Sequence, residues 1–252
     1  MSPPADSYDP IAPYYDAYVA TAYDVEFFRD EVASVTGPVL ELMAGTGRLS
    51  LPLIEAGVKL VCVDRSEGML RCLRAKLTAR RLQAEVLQRD VRDLALSRRF
   101  ELALMPFQSF MELVEEADQR AALRSIRAHL QPGGRFVCTL HNPAVRRRSV
   151  DGTLRLVGSF GIPEGTLVVT RVEQGGDPVV RRLQFLELFD ASGALRWKRL
   201  QPMTFTLIER DHFESMATDA GFRATALWGD HQRSEFDPDH SPVMIWSLVS
   251  ET

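Results

Sequence analysis

No stretch of this chain approaches the ~20 consecutive apolar residues that a helix needs to cross a bilayer. Its start, Met-Ser-Pro-Pro-Ala-Asp-Ser-Tyr8, has no basic segment leading into an apolar one. Neither membrane insertion nor export is expected, and the cytoplasm is the expected compartment. Cysteine is scarce, and Cys62, Cys72 and Cys138 stand far apart. Two fall in apolar runs that read as strands and one in a helical pattern, so they read as packing residues in a reducing compartment. No disulfide framework and no metal site is expected. A surplus of cations is missing as well: 30 Lys and Arg face 34 Asp and Glu, a net charge of −4. A nucleic-acid partner requires Lys and Arg in excess on one face, so none is expected. No internal repeat and no low-complexity segment is present.

What remains is an ordinary globular composition, 45% hydrophobic and 25% charged over 252 residues, which suits one domain with a moderate insertion. Such a chain buries roughly three quarters of its unfolded surface. Apolar residues Val25, Phe28, Val32 and Val35 recur at helical spacing, and Gly37-Pro38 ends that helix. Ser66 can cap a helix carrying Met69, Leu70, Leu73 and Leu77 on one face. Short apolar strands at 86–87 and 102–104, a helix over 117–130 and a fifth strand at 135–140 complete an alternation of strands and helices. That alternation demands a parallel sheet covered on both faces. From 154 to 205 the pattern changes to period two, broken by turn signals at Gly175-Gly-Asp-Pro178 and Asp190-Ala-Ser-Gly193. Runs 166–173, 179–189 and 195–205 are the expected antiparallel strands of an inserted meander. Thr206-Leu-Ile-Glu209 offers a capping box for a last helix closed by Gly221, and strands at 223–227 and 243–249 follow.

The most telling segment is Val39-Leu-Glu-Leu-Met-Ala-Gly-Thr-Gly-Arg48, followed by Val61-Cys-Val-Asp64. It reads as a buried strand, a glycine turn opening a helix, and a second strand ending in a carboxylate. Gly45 and Gly47 permit positive φ and close approach of a ligand to backbone N–H groups, and Asp64 stands where a ribose presents its hydroxyls. A nucleoside-like ligand is expected. The dinucleotide fingerprint G-x-G-x-x-G is incomplete, because Ser50 takes the third glycine position.

With Glu41 on the first strand and Ala44-Gly-Thr-Gly47 after it, the segment instead resembles the first motif of class I S-adenosylmethionine-dependent methyltransferases. Asp64 with Ser66 and Met69-Leu70 resembles that family's second motif. Gln88-Arg-Asp90-Val91 resembles the third, where a carboxylate accepts from the adenine amino group. Leu104-Met-Pro-Phe-Gln108 fits the strand under the sulfonium, Leu130-Gln-Pro-Gly-Gly134 the turn before the fifth strand, and Asp219-Ala-Gly-Phe222 the family's ending. The resemblance implies an α/β fold, a Rossmann-like sheet of seven strands with the last antiparallel, here carrying the inserted meander. It divides the chain into a lid at 1–22, a cofactor-binding core at 23–144, an insertion at 145–205 that covers substrate or forms a dimer interface, and a closing segment at 206–252. It implies S-adenosylmethionine as cofactor, a small-molecule acceptor methylated on nitrogen or oxygen, and a possible homodimer. A nicotinamide-dependent oxidoreductase, or a protein that binds the cofactor without transferring methyl, are the alternatives.

The cofactor contacts expected on this basis are Glu41, Ala44, Gly45, Thr46, Gly47, Arg48, Asp64, Arg65, Met69, Asp90, Val91 and Pro106. Tyr8 and Tyr18 join them from the segment Tyr8–Tyr18, which looks like a tyrosine-rich lid; residues 1 to about 20, rich in Pro, Tyr and Asp, are open to disorder without ligand. A tyrosine ring attracts a sulfonium and its hydroxyl can orient a nucleophile; Tyr14 is the catalytic candidate, although which tyrosine points inward is not readable. Gln108 can hold a polar group of the acceptor. His141, just past the fifth strand, is the candidate general base, or a loop histidine without that task. Arg146-Arg147-Arg148 reads as a solvated loop or as a patch for an anionic substrate. Trp197 reads as core or as a wall of the acceptor site, His212 as structural, and His231 and His240 as residues of a loop that can rim the pocket.

Overall fold

The computed structural model describes residues 8–251. Five strands run parallel: β1 (Val39–Leu42), β2 (Leu60–Asp64), β3 (Glu85–Gln88), β4 (Phe100–Met105) and β5 (Leu130–His141). Helices α1 (Ala12–Tyr18) and α2 (Val25–Ala33) precede them. Between them lie α3 (Ser50–Glu55), α4 (Glu67–Arg80), a 3-10 turn over Ser109–Glu112 and α5 (Glu116–Ala128). After α6 (Pro143–Arg147) come β6 (Arg155–Ile162), β7 (Gly165–Gly175), β8 (Val179–Phe189) and β9 (Leu195–Thr206), a separate antiparallel sheet in that order. Helix α7 (Arg210–Asp219) and strands β10 (Phe222–Trp228) and β11 (Val243–Ser250) return to the main sheet, whose order is β10-β11-β5-β4-β1-β2-β3. Strand β11 lies antiparallel to both its neighbours. This is the expected α/β architecture.

Period-two alternation explains the layering. Leu40, Leu42, Val61 and Val63 enter the core on the face covered by α5 and α7, whereas Val39, Leu60 and Cys62 enter the core on the face of α2, α3 and α4. Helix α4 forms as its sequence predicts: Ser66 accepts from the Met69 amide at 3.1 Å, and Met69, Leu70, Leu73 and Leu77 are buried. A third apolar cluster joins Ile11, just before α1, to Leu167 and Val169 of β7 and Leu186 of β8. It docks the N-terminal segment on the meander.

Four details depart from the expectations. Residues 12–18 are helical rather than disordered, held by Ile11; the rest of that expectation, residues 1–7, lies outside the described residues. The meander has a fourth strand, β6, whose two glycines and exposed edge position conceal it. Strand β5 begins at Leu130, and the expected Pro-Gly-Gly turn is an irregularity inside it, where pairing jumps from Leu130 to Arg135. Thr206 caps nothing, because the ladder with β8 claims it as the last residue of β9, and α7 starts after Glu209 without a side-chain cap.

Candidate active site

A cavity of about 960 Å³ runs along the carboxyl edge of the parallel strands, roofed by α1 and walled by the meander. That is the upper end of the ~300–1,000 Å³ usual for small-molecule sites, the size expected where two ligands meet. Its floor is built from strand ends: Met43 and Gly45 after β1, Asp64 closing β2, Asp90 and Val91 after β3, Phe107 and Gln108 after β4, and His141 closing β5. The non-glycine residues Met43, Phe107 and Gln108 all hold φ between 55° and 60°. Left-handed backbone costs of order 1–3 kcal/mol per residue and collects at functional sites.

Asp64 organises one end of the cavity. Its Oδ2 accepts from the Gly45 amide and its Oδ1 from the Ser66 amide, both at 2.8 Å. An ionised carboxylate has about four acceptor sites, so the amides leave room on it for a ribose hydroxyl. Burial pushes the Asp64 carboxyl up, against the pull of the two amides and Arg65. Gly45 sits at φ +58° with open space where a Cβ would stand, which is the cradle a ligand needs. Gly47 has a different reason to be glycine. At φ +87° a Cβ there would lie 2.4 Å from the Leu73 side chain, so its absence lets α4 pack against the turn.

Gly45, Asp64, Arg65, Met69, Asp90, Val91, Tyr8, Tyr18, Gln108 and His141 line the cavity together. Asp90 is gripped by its neighbour Arg92, with Oδ2 accepting from Nη2 at 2.6 Å, and that bonding holds its carboxyl low. The other expected residues lie behind the lining. Arg48 donates to both oxygens of buried Asp24 at 2.6 Å and stacks 4.5 Å over Phe107, making it a strut between the segment after α1 and the end of β4. The Thr46 hydroxyl donates to Asp16 at 2.5 Å, a tie between the turn and α1. Ala44 and Pro106 are buried backbone supports. Tyr14 packs on Trp197 at 5.0 Å, outside the lining. Glu41 is buried under the turn beside Ser50, with its Oε2 unbonded, and burial pushes it up to about 7. His231 lies with Tyr23, Gln108 and His141 around a smaller cavity of about 360 Å³. His212 and His240 are exposed, facing Glu116 and Asp237.

Several lining groups escaped sequence reasoning. Glu112, at the end of the 3-10 turn, is a half-buried carboxyl whose Oε1 accepts from the Tyr8 hydroxyl at 2.7 Å; desolvation pushes it up. A lone carboxyl inside Phe110-Met-Glu-Leu-Val114 was the available signal. Tyr15 stacks edge-on with Tyr8 and Tyr18, and burial pushes all three phenols up, so they act as donors. Arg171, Arg182 and Gln184 reach in from the meander. His141 is half-buried near Arg146, Arg182 and Arg171, and desolvation followed by these cations pushes its ring down to about 3.

A methyltransferase-domain family model matches residues 39–134. The cypemycin N-terminal methyltransferase of a Streptomyces species is 31% identical over 193 residues, covering 77% of this chain and 75% of that protein. A glycine/sarcosine N-methyltransferase of Parasynechococcus marenigrum is 26% identical over 80% of this chain and 68% of its own length. A solved S-adenosylmethionine-dependent methyltransferase from Clostridium acetobutylicum superposes with a TM-score of 0.82 at 16% identity, covering 97% of this chain and 99% of that one. The nicotinamide alternative gains nothing from the site, since Ser50 in the third glycine position is buried in the first turn of α3. The strand-end carboxylate, the glycine turn and the sheet ending thus meet in one fold shared with these relatives, and the chain belongs to the class I S-adenosylmethionine-dependent methyltransferases, with S-adenosylmethionine as its cofactor.

Proposed function

We propose that this protein methylates an amine nitrogen of a small molecule. Asp64, Gly45, Met69, Asp90 and Val91 hold the cofactor in this reading, and Glu112, Tyr8, Gln108 and His141 meet the acceptor. The cofactor supplies a methyl group on a sulfonium, which leaves as a neutral thioether. Leaving-group activation is thus built into the cofactor, and the protein's main task is positioning.

The observation that favours nitrogen over oxygen is the state of the groups around His141. A hydroxyl must give up its proton to a base matched to neutral pH. The His141 ring, held near 3, is too weak a base for that, and the lid tyrosines stay as phenols. An amine needs less, because its lone pair attacks directly and an ammonium is far more acidic than an alcohol. Glu112, half-buried and raised, is suited to take an ammonium proton or orient an N–H, with Tyr8 fixing its other oxygen. Neutral His141 then accepts or donates a hydrogen bond. The relative named a glycine/sarcosine N-methyltransferase and the one named an N-terminal methyltransferase support the same choice.

We read the segment ending at 22 as a lid over 23–144 and 206–252, with 145–205 as the acceptor's cover. Leu156 on β6 and Leu195 and Leu200 on β9 are at least half exposed along the open edges of the meander, and a homodimer through these edges is part of the proposal. Light scattering that finds only monomer at working concentration removes the dimer. The reaction is tested by incubating the protein with S-adenosylmethionine and matched amines and alcohols: methyl gain on amines supports the reading, and gain on alcohols alone overturns it.

A further inference from the structure

Inward positions of the meander are apolar at the lid end, where Leu167 and Val169 of β7 and Leu186 of β8 are buried. Further along each strand the same face turns polar: Arg171 and Glu173 on β7, Gln184 and Arg182 on β8. It becomes apolar again at Val180 and Phe205. Polar groups inserted into an otherwise consistent apolar pattern mark a place where function overrides folding.

The charges there do not balance. Glu173 is buried and accepts from Arg182 Nε at 2.6 Å and from Arg146 Nη2 of α6. The ring of Phe205 is shared by the same two guanidinium groups, at 5.4 Å from Arg146 and 5.3 Å from Arg182. Both are thereby fixed in place. The Arg171 guanidinium, half-buried and lining the cavity, makes no hydrogen bond or ion pair with any described residue. Arg155, its cross-strand partner on β6, is paired with Asp151. Three cavity-lining guanidinium groups therefore face one carboxylate. The carboxylates that line the cavity away from the meander include Asp64 closing β2, Asp90 after β3 and Glu112 at the end of the 3-10 turn, with Asp9, Glu115 and Asp118. They outnumber the guanidinium groups beside them, Arg65, Arg89 and Arg92, whereas the cover presents cations to the cavity.

We propose that the methyl acceptor carries an oxyanion, a carboxylate or a phosphate, which binds Arg171 and Arg182 on the meander wall while its amine faces Glu112. The inference rests on the reading that the acceptor enters this cavity, and it names the acceptor's chemical class. Arg171 supplies the free guanidinium fork, and Arg182 and Arg146 add a preorganised field.

The test titrates inorganic phosphate, acetate and uncharged acetamide into the protein saturated with S-adenosylhomocysteine, at low salt, following heat or amide shifts. Saturable binding of phosphate or acetate but not acetamide is expected, and the tighter of the two anions identifies the group. Arg171→Met should weaken that binding by about tenfold or more, with Arg171→Lys retaining part of it. S-adenosylhomocysteine affinity should stay within about twofold of wild type in both. Because the Arg171 guanidinium has no partner to lose, the Met variant should also melt no lower than wild type, whereas a structural arginine would lower the Tm. Absence of saturable anion binding, or anion binding unchanged in Arg171→Met, overturns the proposal. Failure of S-adenosylhomocysteine to bind instead strikes the cofactor assignment, and the anion titration on the unloaded protein still reads this site.

Discussion

Replacing Asp64 by alanine removes two kinds of bond at once, and the structure allows them to be separated. The carboxylate now accepts from the Gly45 and Ser66 amides at 2.8 Å each. Leaving these part-buried donors without a charged acceptor costs about 1–3 kcal/mol apiece. Relief of a buried carboxyl that its surroundings push upward offsets part of this. A net loss of about 2 kcal/mol corresponds to a fall of about 4–8 °C in Tm for a chain of this size. The ribose contacts are additional: losing hydrogen bonds to a charged acceptor, about 1.5–3 kcal/mol, weakens S-adenosylmethionine binding about 10–150-fold. Asp64→Asn returns one acceptor to the turn but not the charge. It should recover part of the Tm while affinity stays low. Calorimetric titration and thermal melts read both quantities. Unchanged affinity in Asp64→Ala refutes the ribose assignment, and affinity that recovers in step with Tm in the Asn variant shows that Asp64 acts through the fold alone.

Other consequences follow from individual side chains. Glu41 is raised from its ordinary 4.5 to about 7 by burial, so the folded protein holds a proton that the unfolded chain has lost across that interval. Stability on its account is full below about pH 4.5 and falls by about 3 kcal/mol as pH rises to 7. Glu41→Gln should flatten this slope in denaturant melts and stabilise the protein at pH 8; an unchanged slope contradicts the burial argument. Glu112→Gln should lower kcat by tenfold or more while leaving S-adenosylmethionine affinity near wild type, and a selective loss of cofactor binding would move Glu112 to the other side of the cavity. His141→Asn should leave the pH dependence of turnover unaltered; disappearance of a limb near pH 6.5 would restore the ring as a base. Gly47→Ala should lower the Tm without affecting Asp64, because the new methyl group meets Leu73 in a backbone region alanine avoids.

The parts of the fold legible in the sequence were those where one local rule acts alone. Continuous apolar runs such as Val39-Leu-Glu-Leu42 and Leu60–Asp64 mark doubly covered strands, and Ser66 three residues before Met69 marks a helix start. Where two rules compete, the sequence displays only one of them. Thr206 has the look of a cap, but the β8 ladder claims it. Gly47 has the look of a ligand cradle, but its lost Cβ makes room for Leu73. Arg48 beside the glycine turn suggests a cofactor contact, and its guanidinium is spent on Asp24, a buried partner 24 residues earlier that no spacing rule predicts. The acceptor side was the least legible. Its charges come from β7, β8 and α6, brought together only when the meander folds over the sheet, and Glu112 acquires its environment from the lid residue Tyr8, 104 positions away.

The account stands on one placement, with the cofactor's ribose on Asp64 and the acceptor between Glu112 and the meander arginines. A crystal structure of the protein with S-adenosylhomocysteine tests it most directly. The account predicts a ribose hydroxyl on the Asp64 carboxylate, the adenine beside Asp90 and Val91, and the sulfur turned toward Glu112 and His141. Density for the ligand elsewhere, or a ribose held by another carboxylate while Asp64 keeps only the Gly45 and Ser66 amides, would contradict it.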